Sequence, residues 1–279
     1  MIKSNKGGMM GFFSWLFRRN KPKKIKIGLA LGSGGAKGFA HLGALKAFEE
    51  NGISFDVIAG TSIGSIVGAF VAEGYSSTDI GELLKRIDID DIKNLFMIRM
   101  DSSGMFKVID REIGSLNFEE MKKPFKAVAT VLETGEEHVF ESGNVARALC
   151  ASSSIPPFFK PVVIDGERYI DGAYTNSIPA DLVKQMGADY VIGIDLSTNS
   201  SKAKLLSKIF PTYKSKVENP KEKGYKFSDV MLHPDLNEYS SVSIGSGNQM
   251  FDIGYQEAMA HMEQIKNDIN KLLYGRKKK

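Results

Sequence analysis

An α/β fold on a mainly parallel sheet is the expectation for this chain, and three observations carry it. Short apolar runs suited to buried strands are followed by glycine-containing turns and helix-length segments. That order occurs twice in succession near the start, and two strand–turn–helix units in a row imply parallel strands with right-handed crossovers. The length, 279 residues, is enough for one large domain with a well-buried core.

The elements follow in chain order. Lys24 to Leu31 alternates and then turns fully apolar, the pattern of a strand entering a buried sheet. The turn Gly32-Ser33-Gly34-Gly35-Ala36-Lys37-Gly38 leads into a helix over Phe39 to Glu50, stopped by Asn51-Gly52. Phe55 to Ala59 is a second strand, and a helix starts directly after Ser62, over Ile63 to Glu73. Ser77 to Arg86 is a third helix with Ser77 or Thr78 as cap. Phe125 to Leu132 is a strand, hairpinned through Thr134-Gly135 to His138-Val139-Phe140. Asn144 to Ser152 is helical, and Ile155 to Pro161, with three prolines, is a rigid loop. Asp165-Gly166 joins Val162–Ile164 to Arg168–Ile170 as a second hairpin. Tyr190 to Leu196 is another buried strand, Val230 to Leu232 an edge strand, and Asn248 to Leu273 a long terminal helix. No repeat is present, and no linker divides the body.

The chemistry concentrates in two glycine-flanked segments. In Gly60-Thr61-Ser62-Ile63-Gly64 the serine sits where a strand must reverse sharply into a helix. The glycines leave room for that bend, which holds the hydroxyl out at the carboxyl edge of the sheet, and the new helix points its N-terminus at the serine. The upstream glycine turn fails both nucleotide patterns on spacing. Lys37 stands where a dinucleotide fingerprint needs its third glycine and where a P-loop needs its second. What remains is a run of small residues whose N–H groups converge on an anion at a helix start. A nucleophile beside an anion pocket is the core of an acyl-transfer site. The base is less legible. A triad needs a histidine, yet His41 lies early in the first helix, and His138, His233 and His261 carry no local signal. Asp171, after an apolar strand and before Gly172-Ala173, is better placed, although Asp-Gly alone is mostly a turn signal.

Together these residues resemble the patatin-like phospholipase family, particularly its small bacterial members. The resemblance spans about Ile25 to Leu273 and rests on the glycine turn with His41 and Gly43 after it, Gly60-Thr61-Ser62-Ile63-Gly64, the Ala151-to-Pro161 loop and Asp171-Gly172-Ala173. The basic residue of the glycine motif is often Arg and here is Lys37, and the acidic motif often ends in Gly where this chain has Ala173. The resemblance implies a three-layer α/β/α fold and a Ser–Asp dyad, with Ser62 as nucleophile and Asp171 as general base. It implies backbone N–H groups of Gly34, Gly35 and Ala36 as the oxyanion hole, Lys37 as nearby positive charge, and no metal or organic cofactor. The implied reaction is hydrolysis of a fatty acyl ester through an acyl-serine intermediate. The stretch from Leu95 to Phe106 and Pro156-Pro157-Phe158-Phe159 are candidate groove or lid segments.

Composition narrows the setting. The chain is 42% hydrophobic and 25% charged, ordinary for a globular protein. A single cysteine, Cys150, rules out an internal disulfide, and four histidines with one cysteine give no zinc-site spacing. The net charge of +4 is uneven: residues 1–26 hold eight basic and no acidic residues, which leaves 29 basic against 33 acidic, or −4, for the rest. Basic residues recur from Lys202 to Lys226 and in Arg276 to Lys279. Met9 to Phe17 is a dense apolar and aromatic run followed at once by Arg18, Arg19, Lys21, Lys23 and Lys24. It is too short to span a bilayer, which takes about 20 apolar residues, and lacks the flanks of a secretory signal. Residues 1–24 therefore read as an arm whose rings enter the headgroup region while its cations meet anionic lipid. The competing role for the arm is packing on the body or self-association. A cytoplasmic, peripherally membrane-associated lipid acyl hydrolase with no nucleic-acid partner is the leading expectation. A soluble carboxylesterase, thioesterase or acyltransferase with the same dyad, and a non-catalytic membrane-associated regulator, are the alternatives.

Overall fold

The computed structural model describes residues 25–86, 103–197 and 216–275. The arm at 1–24, the tail at 276–279, the apolar stretch at 87–102 and most of the lysine-rich segment (198–215) lie outside them. In chain order the main elements are β1 (Ile27–Leu31), α1 (Phe39–Glu50), β2 (Val57–Thr61), α2 (Ile63–Ala72), α3 (Ser77–Arg86), α4 (Ser103–Ile113), β3 (Phe125–Val131), β4 (Glu137–Phe140), α5 (Val145–Ser152), β5 (Val162–Ile164), β6 (Glu167–Asp171), α6 (Ala180–Gln185), β7 (Tyr190–Ile194), α7 (Glu222–Phe227), β8 (Val230–Leu232) and α8 (Gly247–Tyr274).

The strands form one eight-stranded sheet in the order β5-β6-β3-β2-β1-β7-β8, with β4 also on β3. β1, β2, β3, β7 and β8 run parallel, β4 and β6 pair antiparallel with β3, and β5 pairs antiparallel with β6 at the sheet edge. β1 and β2 are apolar and buried along nearly their whole length because helices cover both faces of a parallel sheet. The larger core packs α1, α2, α5 and α8 on one face, with Phe48, Leu42, Leu149 and Ile265 among its buried side chains. A side chain such as Phe48, wholly removed from water, contributes about 1.5–3 kcal/mol. The smaller core, with Ile178, Leu182 and Val183, closes the other face. α1 and α8 lie close together: a Cβ on Gly43 would stand 1.9 Å from the Phe251 carbonyl oxygen, and one on Gly254 2.0 Å from that of Ala40.

The register around β3 places the site. β2 ends with Thr61 opposite Val128, and β6 ends with Asp171 opposite Ala129. β4 occupies the other edge of β3 over Ala127 to Thr130, so β2 and β6 share one edge and meet end to end. The residue after β2 is Ser62 and the last residue of β6 is Asp171, so the sheet itself abuts them.

Several boundaries differ from the sequence expectation. β2 starts and ends two residues later than the apolar run suggested, and so delivers the chain straight into Ser62. Ser103–Ile113, where the sequence expectation has no element, is a helix, and Phe106, the last residue of the candidate groove or lid stretch, packs partly buried against the core. Of the candidate segment from Leu95 to Phe106, residues 95–102 lie outside the described residues. The Asp165-Gly166 hairpin forms as expected, with φ of 51° and 87° at its two turn residues.

Candidate active site

The turn after β2 is strained. Ser62 has φ 57° and ψ −128°, a region that L-residues occupy at a cost of about 1–3 kcal/mol. The flanking glycines make it possible. A Cβ on Gly60 would sit 2.2 Å from the Gly64 carbonyl oxygen, and one on Gly64 2.2 Å from that of Leu31. The first turn of α2 is thus pressed against the end of β1, where any side chain would force it away. The strain is held by hydrogen bonds at both peptide groups of Ser62. Its N–H donates to Ser152 Oγ at 2.9 Å, and its carbonyl accepts from Ser65 N–H at 2.8 Å and Ser65 Oγ at 2.7 Å.

Ser62 Oγ donates to Asp171 Oδ2 at 2.5 Å, with the serine 8% and the aspartate 2% exposed. The carboxylate is fixed as firmly as the hydroxyl. Asp171 Oδ1 accepts the Ala173 N–H at 2.8 Å, Asp171 N–H donates to the Ser154 carbonyl at 2.9 Å, and its own carbonyl accepts from Thr130 Oγ1 at 3.0 Å. The glycine after it has a packing reason: a Cβ on Gly172 would meet the Val128 carbonyl oxygen at 2.2 Å. Asp-Gly is here a demand of the sheet edge and not only a turn signal.

The glycine turn continues from β1 as a short 3-10 helix, Gly35–Gly38, running into α1. It packs on the elbow, since a Cβ on Gly38 would lie 2.3 Å from Ile63 Cγ1. Gly35 takes φ +60°, the left-handed conformation that favours glycine. Among the described residues the N–H groups of Gly34 and Gly35 have no acceptor, whereas Ala36 N–H donates to the Ser241 carbonyl at 2.8 Å. Ala36 therefore differs from the other two members of the expected donor set: its N–H already has a protein partner. Lys37 is buried beside the turn. His41 is not a base for Ser62. Its Nε2 lies 2.8 Å from the Gly32 carbonyl, and burial drops its pKa to about 4 against the opposing pull of that carbonyl and Asp195. Near neutral pH the ring is uncharged and donates from Nε2, bracing the start of the glycine turn. Cys150 is buried, and its thiol is pushed up to about 12, chiefly by burial, so it stays a protonated, inert side chain.

A model of the patatin-like phospholipase family matches residues 29–184. The chain belongs to that family. Among curated proteins it is 28% identical over 275 residues to patatin-like phospholipase domain-containing protein 6 of Mus musculus, an alignment covering 84% of this chain and 20% of that one. Patatin-like phospholipase domain-containing protein 7 of the same organism is 30% identical over 270 residues, covering 82% and 20%. Lysophospholipase NTE1 of Pyricularia oryzae is 24% identical over 301 residues, covering 92% and 20%. The chain spans about one fifth of the length of these relatives. Among solved structures, VipD from Legionella pneumophila superposes with a TM-score of 0.53 at 14% identity, over 87% of this chain and 68% of that one, a likeness of fold.

In this patatin-like chain the matched span holds the serine elbow, the aspartate turn and the glycine turn from Gly32 onward. Residues given no role in the sequence expectation also shape the site. Ser152 and Ser154, which fall within the Ala151-to-Pro161 loop of the resemblance, bond the backbone N–H groups of Ser62 and Asp171. Asp195, at the end of β7, is a buried carboxylate that accepts Ser197 N–H at 2.8 Å, the Ser197 hydroxyl and Tyr225 Oη at 2.8 Å, and lies 3.3 Å from Lys221 Nζ. Burial opposes its charge, but the Ser197 hydrogen bonds and the Lys221 ammonium outweigh it and hold the carboxyl below its ordinary value. This cluster fixes Leu196, which a Cβ on Gly34 would meet at 2.9 Å. Phe158, 39% exposed, stands on the loop just beyond Ser154. No helix of the described residues is long and apolar enough to cross a membrane.

Proposed function

We propose that this patatin-like chain is a serine acyl hydrolase that cleaves fatty acyl esters of phospholipid or lysophospholipid through the Ser62–Asp171 dyad. The observation that carries the reading is the 2.5 Å hydrogen bond from a strained, elbow-held serine hydroxyl to a buried carboxylate. The family match and the lysophospholipase name of a relative support the lipid ester as substrate.

In the proposed reaction Asp171 takes the Ser62 proton as Oγ attacks the ester carbonyl carbon. The carbonyl oxygen becomes an oxyanion, held by the Gly34 and Gly35 N–H groups and the N-terminal field of α2. Collapse breaks the carbon–oxygen bond to the leaving alcohol, which receives the proton from Asp171, and leaves acyl-Ser62. Water then gives a proton to Asp171 and attacks the acyl carbon, and the second collapse releases fatty acid and returns the proton to Ser62. Ala36 joins the donor set only if Ser241 moves off it.

The arm at 1–24 supplies the interface in this reading: aromatic rings and cations bring the catalytic body, residues 25–275, to an anionic membrane. The test is fatty-acid release from anionic phospholipid and lysophospholipid vesicles, beside hydrolysis of a short soluble ester. Asp171→Asn abolishes both. Removing residues 1–22 lowers vesicle hydrolysis by roughly tenfold or more and spares the short ester. Equal loss on both substrates, or on neither, defeats the anchor. Wild-type protein that cleaves neither defeats the hydrolase.

A further inference from the structure

We propose that Ser152 is a positioning residue for the nucleophile, and that the C-terminal turn of α5 is a clamp that sets Ser62 against Asp171. The proposal rests on the dyad reading above. Ser152, the last residue of α5, is fully buried, and its Oγ accepts the Ser62 N–H at 2.9 Å. Two residues on, the Ser154 carbonyl accepts the Asp171 N–H at 2.9 Å. Ser154 Oγ in turn donates to the Cys150 carbonyl at 2.8 Å, tying the turn back onto its own helix. One short, buried turn therefore receives a backbone N–H from each member of the dyad, although the two lie 109 positions apart in the chain.

The consequence follows from where the strain lies. Ser62 is held at positive φ by its neighbours and not by its own preference. Its N–H is buried, and without Ser152 Oγ it loses its acceptor. The peptide before Ser62 is then free to rotate toward an ordinary conformation, and that rotation swings Oγ away from Asp171 Oδ2. The Asp171 side of the clamp is a main-chain contact and survives any change at position 152. Replacing Ser152 thus loosens one partner while the other stays fixed, and a misplacement of about 1 Å at the reacting atoms costs roughly 100-fold in rate.

The experiment compares wild type, Ser152→Ala and Ser152→Thr by fluorophosphonate labelling rate, by kcat and KM on a short soluble ester, and by thermal melting. Ser152→Ala is expected to slow labelling and kcat roughly 10- to 100-fold with KM within about twofold. Ser152→Thr keeps the oxygen and recovers most of that loss. If Ser152→Ala does not fold, Ser152→Cys, close in volume and a weak acceptor, takes its place with the same expectation. A folded Ser152→Ala or Ser152→Cys that labels at the wild-type rate overturns the proposal. A folded Ser152→Thr as slow as Ser152→Ala overturns it too, because the acceptor oxygen is then not what matters. Wild type that fails to label defeats the dyad reading itself, which separates that failure from the failure of the clamp.

Discussion

The site has two halves, and they are held differently. On the nucleophile side both peptide groups of Ser62, both peptide groups of Asp171 and both carboxylate oxygens have named partners. On the glycine side two successive N–H groups, Gly34 and Gly35, have none among the described residues, and the third, Ala36, is taken by Ser241. In the proposed reaction the first half brings the reacting atoms to contact before any substrate arrives. The second would keep donors ready for a charge that exists only during reaction, where such groups act most strongly. A rigid serine–aspartate pair beside open donors is the division of labour that the proposal requires.

The comparison can be broken from its rigid side first. Asp171→Asn keeps the shape but turns an amide donor toward the Ser62 hydroxyl, and kcat should fall about 10⁴-fold, by analogy with carboxylate-to-amide changes in serine triads. Steady-state hydrolysis of a short ester checks this, and a loss under tenfold would mean that Asp171 is not the base. Gly35→Ala attacks the open side. The new Cβ must tolerate φ +60° and stand 2.6 Å from the Ser241 carbonyl oxygen. A fall in kcat of about 10²-fold is expected, with KM little changed, as for loss of one oxyanion donor. Unaltered kcat would place the anion elsewhere.

The smallest effect concerns the brace beneath the turn. His41 is held at about 4 in the folded protein against an ordinary 6.5. The unfolded chain therefore binds a proton between pH 6.5 and 4 that the folded one refuses. The stability from this group is complete above pH 6.5 and is lost as pH falls toward 4, by on the order of 3 kcal/mol. His41→Gln should flatten that part of the stability curve in denaturant titrations at pH 7 and pH 4.5. Parallel curves for wild type and variant would remove His41 from the account.

Much of this was legible in the sequence because the signals were local. The α1 bounds, Phe39 to Glu50, follow from a glycine turn before and Asn51-Gly52 after, and the Asp165-Gly166 hairpin from its two turn residues. Ser62 was readable because the elbow needs glycine on both sides within five residues. Contacts that depend on distant chain segments were not readable. Nothing local in Ser152 says that it will meet Ser62, and nothing in Ser241 says that it will occupy the Ala36 N–H. α6 has six residues, too few to display a helical period, whereas α4 carries Phe106, Ile109 and Ile113 at helical spacing and so holds a local signal of its own. The apolar run points to a strand two residues early because it begins before the sheet does, at Phe55, which packs in the core outside the strand.

The central claim is that Ser62 is a nucleophile already engaged with Asp171. The most direct measurement is mass spectrometry of peptides from the full chain after reaction with a fluorophosphonate, for wild type and Ser62→Ala. The account predicts one phosphonyl adduct, on Ser62, absent from a folded Ser62→Ala protein. A folded wild type that carries no adduct on Ser62, or carries it on another serine, would contradict it.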